Sequence, residues 1–185
     1  MRVITGSARG IQLISPEGMD VRPTAGKVKE ALFSAIQFDI EGREVLDLFA
    51  GSGQLGIEAL SRGAAGAVFV DNSRASAEIV RKNVDKCRFT DKARVTVGDY
   101  KAFLKGCAPG SFGLIFMDPP YASAPVQIES ALHIIEDIDI LVPGGIIVCE
   151  SEGDDRLPEL SGKITLRKCY NYGRTRIAVY ERSVG

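Results

Sequence analysis

The chain has 185 residues, 23 basic and 24 acidic, with a formal net charge of −1, so total charge does not announce a nucleic-acid binder. Its four cysteines, Cys87, Cys107, Cys149 and Cys169, are widely spaced and form no C-x-x-C, which speaks against a secreted disulfide scaffold and for reduced cytosolic thiols. No apolar run approaches about 20 residues and MRVITGSARG lacks the apolar stretch of a signal peptide, so a soluble, cytoplasmic chain with no membrane association is expected. No stretch reads as a linker. One domain over residues 1–185 is expected, large enough to bury roughly 70% of its unfolded surface.

In chain order, RVITGSARGIQLI alternates loosely around Gly6 and Gly10, as a short hairpin does. Pro23 in VRPT disfavours helix at Arg22. The spacing of Val28, Ala31, Leu32, Ala35 and Ile36 predicts a helix from about Gly26 to Phe38. A strand is expected from Glu44 to Phe49, then the glycine turn Gly51-Ser52-Gly53 with Gly56 beyond it, then a helix from Gln54 to Arg62 that stops at Gly63. Gly66 to Asp71 reads as the second strand, followed by a helix from Ser73, a plausible cap, to Lys86. Arg94 to Val97, Phe112 to Met117 and Ile146 to Glu150 read as further strands, the last after the turn Pro143-Gly144-Gly145. Between them come a short helix over Tyr100 to Leu104 and a longer one over Val126 to Glu136. Ile164 to Tyr170 and Arg174 to Glu181 close the chain as an antiparallel hairpin. Alternating strand–helix units ending in a hairpin predict an α/β fold with a mostly parallel sheet covered by helices on both faces.

Charge is uneven along the chain. From Lys163 to Arg182 there are six basic residues against Glu181 alone, and residues 1–30 carry five basic against three acidic. Local charge sets the field that a phosphate backbone feels, although solvated faces give the same pattern.

The glycine turn after VLDLF creates a crevice lined by backbone N–H groups, suited to an adenosine-bearing ligand. Asp71 lies 20 positions after Gly51, where dinucleotide sites place their ribose acid, so this signal alone admits an NAD-dependent oxidoreductase as well as a methyltransferase. Asp47 tilts the choice, because an anion four residues before the first glycine suits a ligand with an ammonium better than a pyrophosphate. A loop cap is the competing reading of Asp47. Asp99, in Gly98-Asp99-Tyr100, suits an adenine amino group with Tyr100 beside the ring, or equally a helix cap.

Asp118-Pro119-Pro120-Tyr121 follows the apolar strand end LIFM and is the sharpest signal. An exocyclic amine on a base is a poor nucleophile, because its lone pair is delocalised into the ring. The Asp118 carboxylate and the rigid Pro119 carbonyl can accept its two N–H bonds and return that pair to nitrogen. Tyr121 offers a stacking face for a base swung out of its helix. His133 is the only histidine, so multi-histidine sites are excluded, and no G-K-[ST] follows the glycine turn.

VLDLFAGSGQLGIEALSRGA, FVDNS, GDY and MDPPY resemble the class I S-adenosylmethionine methyltransferases that act on base amines. RVITGSARG, VRPTAGKVKEALF, VCESE and KCYNYGRTRIAVYER are similar to the bacterial RsmD-type enzymes, which methylate N2 of one guanine in 16S ribosomal RNA. The resemblance covers essentially the whole chain. It implies a Rossmann-like class I methyltransferase: a mostly parallel seven-stranded sheet with a C-terminal antiparallel hairpin, a small N-terminal hairpin and helix extension (1–40) facing RNA, and a donor-binding core (41–185). It implies S-adenosylmethionine held by Asp47, Phe49, Gly51, Gly53, Asp71, Asn72, Asp99 and Tyr100. The target guanine would be held by Asp118, Pro119, Pro120 and Tyr121. RNA would be faced by Arg22, Pro23 and Thr24, with basic residues of the two ends, Arg9, Lys27 and Arg174. The partner implied is 16S ribosomal RNA within the small subunit or its assembly intermediate, and no metal is needed. Three departures stand out. Ala25-Gly26-Lys27 replaces the usual Thr-Asp-Arg and inherits no role from the family, leaving Lys27 in only as a basic residue of the arm. Gln12 stands where a basic residue is usual, and Asp71 replaces Glu. The same tetrapeptide serves adenine N6, so an N6-adenine methyltransferase on DNA or RNA is the nearest alternative. A donor-binding module without activity is opposed by the intact Asp118 and Tyr121.

Overall fold

The computed structural model describes residues 1–16, 23–153, 155, 158, 160 and 162–185. Twelve helices and strands are described. They are α1 (Pro23–Ala35), β1 (Glu44–Asp47), α2 (Gln54–Ser61), β2 (Gly66–Asp71), α3 (Arg74–Lys86), β3 (Ala93–Val97), α4 (Tyr100–Lys105), β4 (Phe112–Met117), α5 (Ala124–Asp137), β5 (Leu141–Glu152), β6 (Ile164–Tyr172) and β7 (Thr175–Arg182). The strands form one seven-stranded sheet in the order β3-β2-β1-β4-β5-β7-β6. Neighbours from β3 to β5 run parallel, and β7 runs antiparallel to both β5 and β6. This is the expected mostly parallel sheet with a terminal hairpin.

Alternation along the strands splits the core between the two faces. Val45, Phe69, Leu114, Phe116, Val148, Ile177 and Val179 pack with residues of α1, α2 and α3. Leu46, Val70, Ile115, Met117, Ile147, Cys149, Ala178 and Tyr180 pack with α4 and α5. Because α1 leads through a short 3-10 turn (Gln37–Asp39) to the start of β1, it runs against the parallel strands and begins at their carboxyl edge. No helix among the described residues is long and apolar enough to cross a membrane.

The structure moves several expected boundaries. α1 starts at Pro23, three residues early, since proline's fixed φ suits a first helical position. The N-terminal hairpin reduces to one antiparallel bridge, Arg2 to Gln12, flanked by the Val3 N–H to Ile11 carbonyl and Leu13 N–H to Met1 carbonyl bonds, while the N–H groups of Ile4, Thr5, Ser7 and Ala8 bond to α2. Pro143-Gly144-Gly145 is not a turn preceding β5 but a bulge within it. Phe112 pairs with Leu141 and Leu114 with Ile146, and Arg43 pins the bulge by donating to the Gly113 and Gly144 carbonyls at 3.0 and 2.9 Å. Gly144 takes φ +69°, which permits the detour.

Candidate functional site

Strand order reverses between β1 and β4, so a crevice opens there at the carboxyl edge. Gly51 and Gly53 turn the chain out of β1 with φ +55° and +77°. A Cβ on Gly51 would meet nothing within 4 Å, so this glycine borders open space. A Cβ on Gly56 would lie 2.4 Å from the Phe69 ring. Gly56 is therefore required for α2 to lie close on β2, as distinct from the two glycines that shape the turn.

Two acids, Asp47 and Asp71, hold this turn in place, and a third, Asp99, caps α4. Asp47 is 1% exposed and its Oδ2 accepts from the Gly56 N–H at 3.0 Å. Burial, together with the nearby Asp71 carboxylate, pushes its pKa up to about 7 against the Gly56 bond. Asp71 accepts from the Gly51 N–H at 2.9 Å with one oxygen and from the Ser73 N–H at 2.8 Å with the other. Asp99 caps α4 by accepting from the Ala102 N–H at 3.0 Å, and its side chain is exposed. The capping readings of Asp47 and Asp99 thus describe bonds that exist. Phe49 and Tyr100 come together with ring centroids 5.1 Å apart, forming an aromatic wall. Asn72, immediately after Asp71 in sequence, is exposed.

Across the switch point Asp118 leaves the end of β4. Burial first, then the carboxylates of Glu150 and Asp47, raise its pKa well above the usual range. Pro119 is buried and Pro120 exposed. The Pro120 carbonyl accepts from the Ser123 N–H at 3.0 Å, starting the 3-10 turn Tyr121–Ser123 that leads into α5. The Tyr121 side chain lies outside the described part.

The RNA-facing candidates divide. Pro23 and Thr24 begin α1 at the carboxyl edge, though their side chains are outside the described part, as is Arg22 entirely. Lys27 is exposed in the first turns of the same helix. Arg174 sits in the β6–β7 turn at the same edge, 88% exposed and paired with Glu152 at 3.1 Å. Arg9 stands apart. The Ser7 and Ala8 N–H groups bond the Ser61 carbonyl and hydroxyl at the far end of α2, which places the Arg9 turn at the opposite edge of the sheet. Gly6 fits there only because it has no side chain, since a Cβ would lie 1.7 Å from the Ser61 carbonyl oxygen.

Sequence reasoning missed the residues that fasten this arm. Glu58, fully buried on α2, accepts from the Ile4 and Thr5 N–H groups at 2.8 and 3.0 Å and pairs with Lys29 at 3.0 Å and Arg62 at 2.9 Å. These partners hold its carboxyl below the usual range despite burial, while burial lowers the Lys29 pKa. Asn83, fully buried on α3, accepts from the Ile14 N–H at 2.7 Å and donates to the Ile14 and Ser52 carbonyls at 3.0 and 2.9 Å. It therefore joins the arm to the glycine turn. The available signal was a polar residue on an apolar helix face: Asn83 beside Val80 and Val84, Glu58 between Ile57 and Ala59.

The family described as "Conserved hypothetical protein 95" matches residues 1–181. "Putative rRNA methyltransferase YlbH" of Bacillus subtilis is 38% identical over 184 residues, covering 98% of this chain and 99% of its own. The chain belongs to the RsmD-type methyltransferase family. "Ribosomal RNA small subunit methyltransferase D" of Escherichia coli K12 is 34% identical over 98% of this chain and 90% of its own. Among solved structures, "Putative methyltransferase yhhF" from Escherichia coli superposes with a TM-score of 0.85, at 32% identity over 100% of this chain and 99% of that one. In this RsmD-type chain the family match includes the arm that Glu58 and Asn83 fasten, as well as the crevice.

Proposed function

We propose that this chain transfers a methyl group from S-adenosylmethionine to the N2 amine of one guanine in the 16S ribosomal RNA of the small subunit. The observation that carries the reading is the position of the Asp118-Pro119-Pro120 loop, directly across the strand-order switch point from the glycine turn, in a member of this family. When bound, S-adenosylmethionine supplies an electrophilic methyl on a sulfonium. The residues present fit it. Gly51 leaves the space beside the turn open, the Phe49–Tyr100 wall suits a planar base, and Asp71 and Asp99 retain acceptor capacity for ribose hydroxyls and an adenine amine. Asp47, being buried, acts by fixing the start of α2 and by its negative field, which favours a cationic ligand.

On the acceptor side, Asp118 accepts one N–H of the target amine and the Pro119 carbonyl accepts the other, localising the lone pair on nitrogen. The carbonyl acceptor is held in advance: Pro119 and Pro120 have fixed φ, and Ser123 ties the Pro120 carbonyl into the following turn. Pairing such an amine with an in-line methyl is chiefly a matter of orientation. Lys27 in the first turns of α1, with Arg174 at the hairpin turn, forms the RNA-facing rim, to which Arg22, Pro23 and Thr24 contribute, and residues 2–14 serve as its brace along α2. Labelled methyl transfer onto small subunits from cells lacking the enzyme, with the modified base mapped, tests the reading. N2-methylguanosine supports it, whereas N6-methyladenosine transfers the same site to the other amine.

A further inference from the structure

Lys168, Tyr170 and Tyr172 alternate along β6 and so share one face of the sheet. It is the face on which α1 packs, for both rings lie against the cluster holding Phe116, Val148, Ile177 and Val179. The rings stand nearly parallel, centroids 6.3 Å apart and planes 12° apart, and the Lys168 ammonium lies 5.0 Å from the Tyr170 centroid. β6 is an edge strand and both tyrosines are only half-buried.

Charge singles out the same place. Of the six cations between Lys163 and Arg182, four are ion-paired: Lys163 and Arg182 with Asp139, Arg167 with Asp39 and Glu181, and Arg174 with Glu152. Arg176 donates to Asn171 and the Asp155 carbonyl. Lys168 makes no ion pair among the described residues and rests on a ring, with its ammonium donors available to phosphate.

Register connects this stripe to the reacting edge. Tyr170 pairs with Ile177, which pairs with Glu150. Met117 pairs with Cys149, so Asp118 follows in the row of Glu150. Phe116 and Val148 face α1, and alternation places Asp118 and Glu150 on that face too. Three strand spacings separate β4 from β6, about 14 Å at ~4.8 Å each, which is within reach of the nucleotides next to a bound base.

We propose that Lys168, Tyr170 and Tyr172 form a stacking surface for the single-stranded RNA flanking the target base, with bases on the tyrosine rings and a phosphate on Lys168. This rests on the reading of the chain as an RNA methyltransferase. A nucleotide swung out of its stack leaves its neighbours unstacked, and tyrosine faces accept any base, so the surface contributes affinity and strand path and not choice of base.

The test compares Tyr170→Ala, Tyr172→Ala, the double alanine variant, the double phenylalanine variant and Lys168→Ala. Each is assayed for methyl transfer to unmethylated small subunits and for binding a short fluorescein-labelled single-stranded RNA. Each alanine at a tyrosine is expected to raise KM and the oligomer Kd by about five- to tenfold, with donor Kd unmoved and phenylalanine restoring both. Lys168→Ala, at an exposed position where folding is not at risk, is expected to weaken oligomer binding and to reduce its salt slope by about one phosphate contact. Unchanged oligomer and subunit affinity in the double alanine variant and Lys168→Ala, or a loss that phenylalanine does not restore, overturns the proposal. If wild-type protein transfers no methyl to RNA, the functional reading fails instead, and oligomer binding still decides the stacking surface.

Discussion

The two halves of the sheet that meet at the switch point treat their polar groups differently. In the half built from β1, β2 and β3, the polar side chains around the glycine turn are engaged by backbone: Asp47 by Gly56, Asp71 by Gly51 and Ser73, Asn83 by Ile14 and Ser52, Asp99 by Ala102. In the half built from β4, β5, β7 and β6, Asp118 is half-buried near Glu150, and the carboxylates of Glu150 and Asp47 make it harder to ionise. The first half is finished before any ligand arrives. Like-charge repulsion reaches both halves, Asp71 acting on Asp47 and then Glu150 and Asp47 on Asp118, and at Asp118 an N–H donor or a cation relieves it. Rigidity suits the donor, whose shape is constant. Under the proposed function, stored electrostatics suit the acceptor, which must be activated only when it is in place.

The largest effect expected from breaking this contrast is on turnover. Asp118→Ala removes an acceptor on the activating side and is expected to lower kcat about 10²- to 10³-fold while leaving donor binding, measured by calorimetry, within about twofold. Equal losses in both would mean that the halves are not separate. On the finished side the cost falls on folding. Glu58→Ala leaves Lys29 buried without its partner and frees the Ile4 and Thr5 N–H groups, with an expected loss of about 3–5 kcal/mol in denaturant unfolding. The folded-state pKa of Glu58 lies below its ordinary 4.5, so this stability is present above about pH 4.5 and is lost as pH falls through the folded value.

Asn83→Ala is expected to cost less, about 1–3 kcal/mol, because it removes one buried amide from three bonds. Its signature is local: hydrogen exchange at Ile14 accelerates and donor affinity falls, as the Ser52 carbonyl loses its anchor. Intact protection at Ile14 would show that the arm holds without it. The smallest effects concern pH. Asp47, raised to about 7 from 3.8, gives the apoprotein a stability term that declines as pH rises between those values, because the folded state holds the extra proton. Asp47→Asn keeps an acceptor for Gly56 and removes the buried charge, so Tm at pH 8 rises while donor affinity drops. Glu150→Gln removes a like charge beside Asp118, and the acid limb of kcat/KM moves to lower pH. An unmoved limb would assign the titration to another group.

The charged ends show how far local sequence carries. Six cations against one acid between Lys163 and Arg182 read as a basic surface, yet Asp139, Asp39, Glu181 and Glu152 neutralise four of them. Three of those acids lie outside the segment, so no local count could find them. Arg9 is a similar case. As one of five cations in residues 1–30 it resembles Lys27, but the Ser61 bonds carry it to the opposite edge.

What the sequence determined by itself was whatever depends on short-range pattern. The periodicities placed the helices and strands within a few residues, Gly51 and Gly53 announced a turn that needs positive φ, and Asp118-Pro119-Pro120 announced a proline-stiffened loop at the end of β4. Those features follow from backbone sterics and from the two side-chain periods, which are local properties. Tertiary structure decided what depends on distant partners. It turned Asp47 inward, made Pro143-Gly144-Gly145 a bulge through Arg43, and fastened the N-terminal arm to α2 and α3 through Glu58 and Asn83. A buried polar group takes whichever partner the fold brings to it, and Ile4 to Glu58 and Ile14 to Asn83 are 54 and 69 residues apart in the chain.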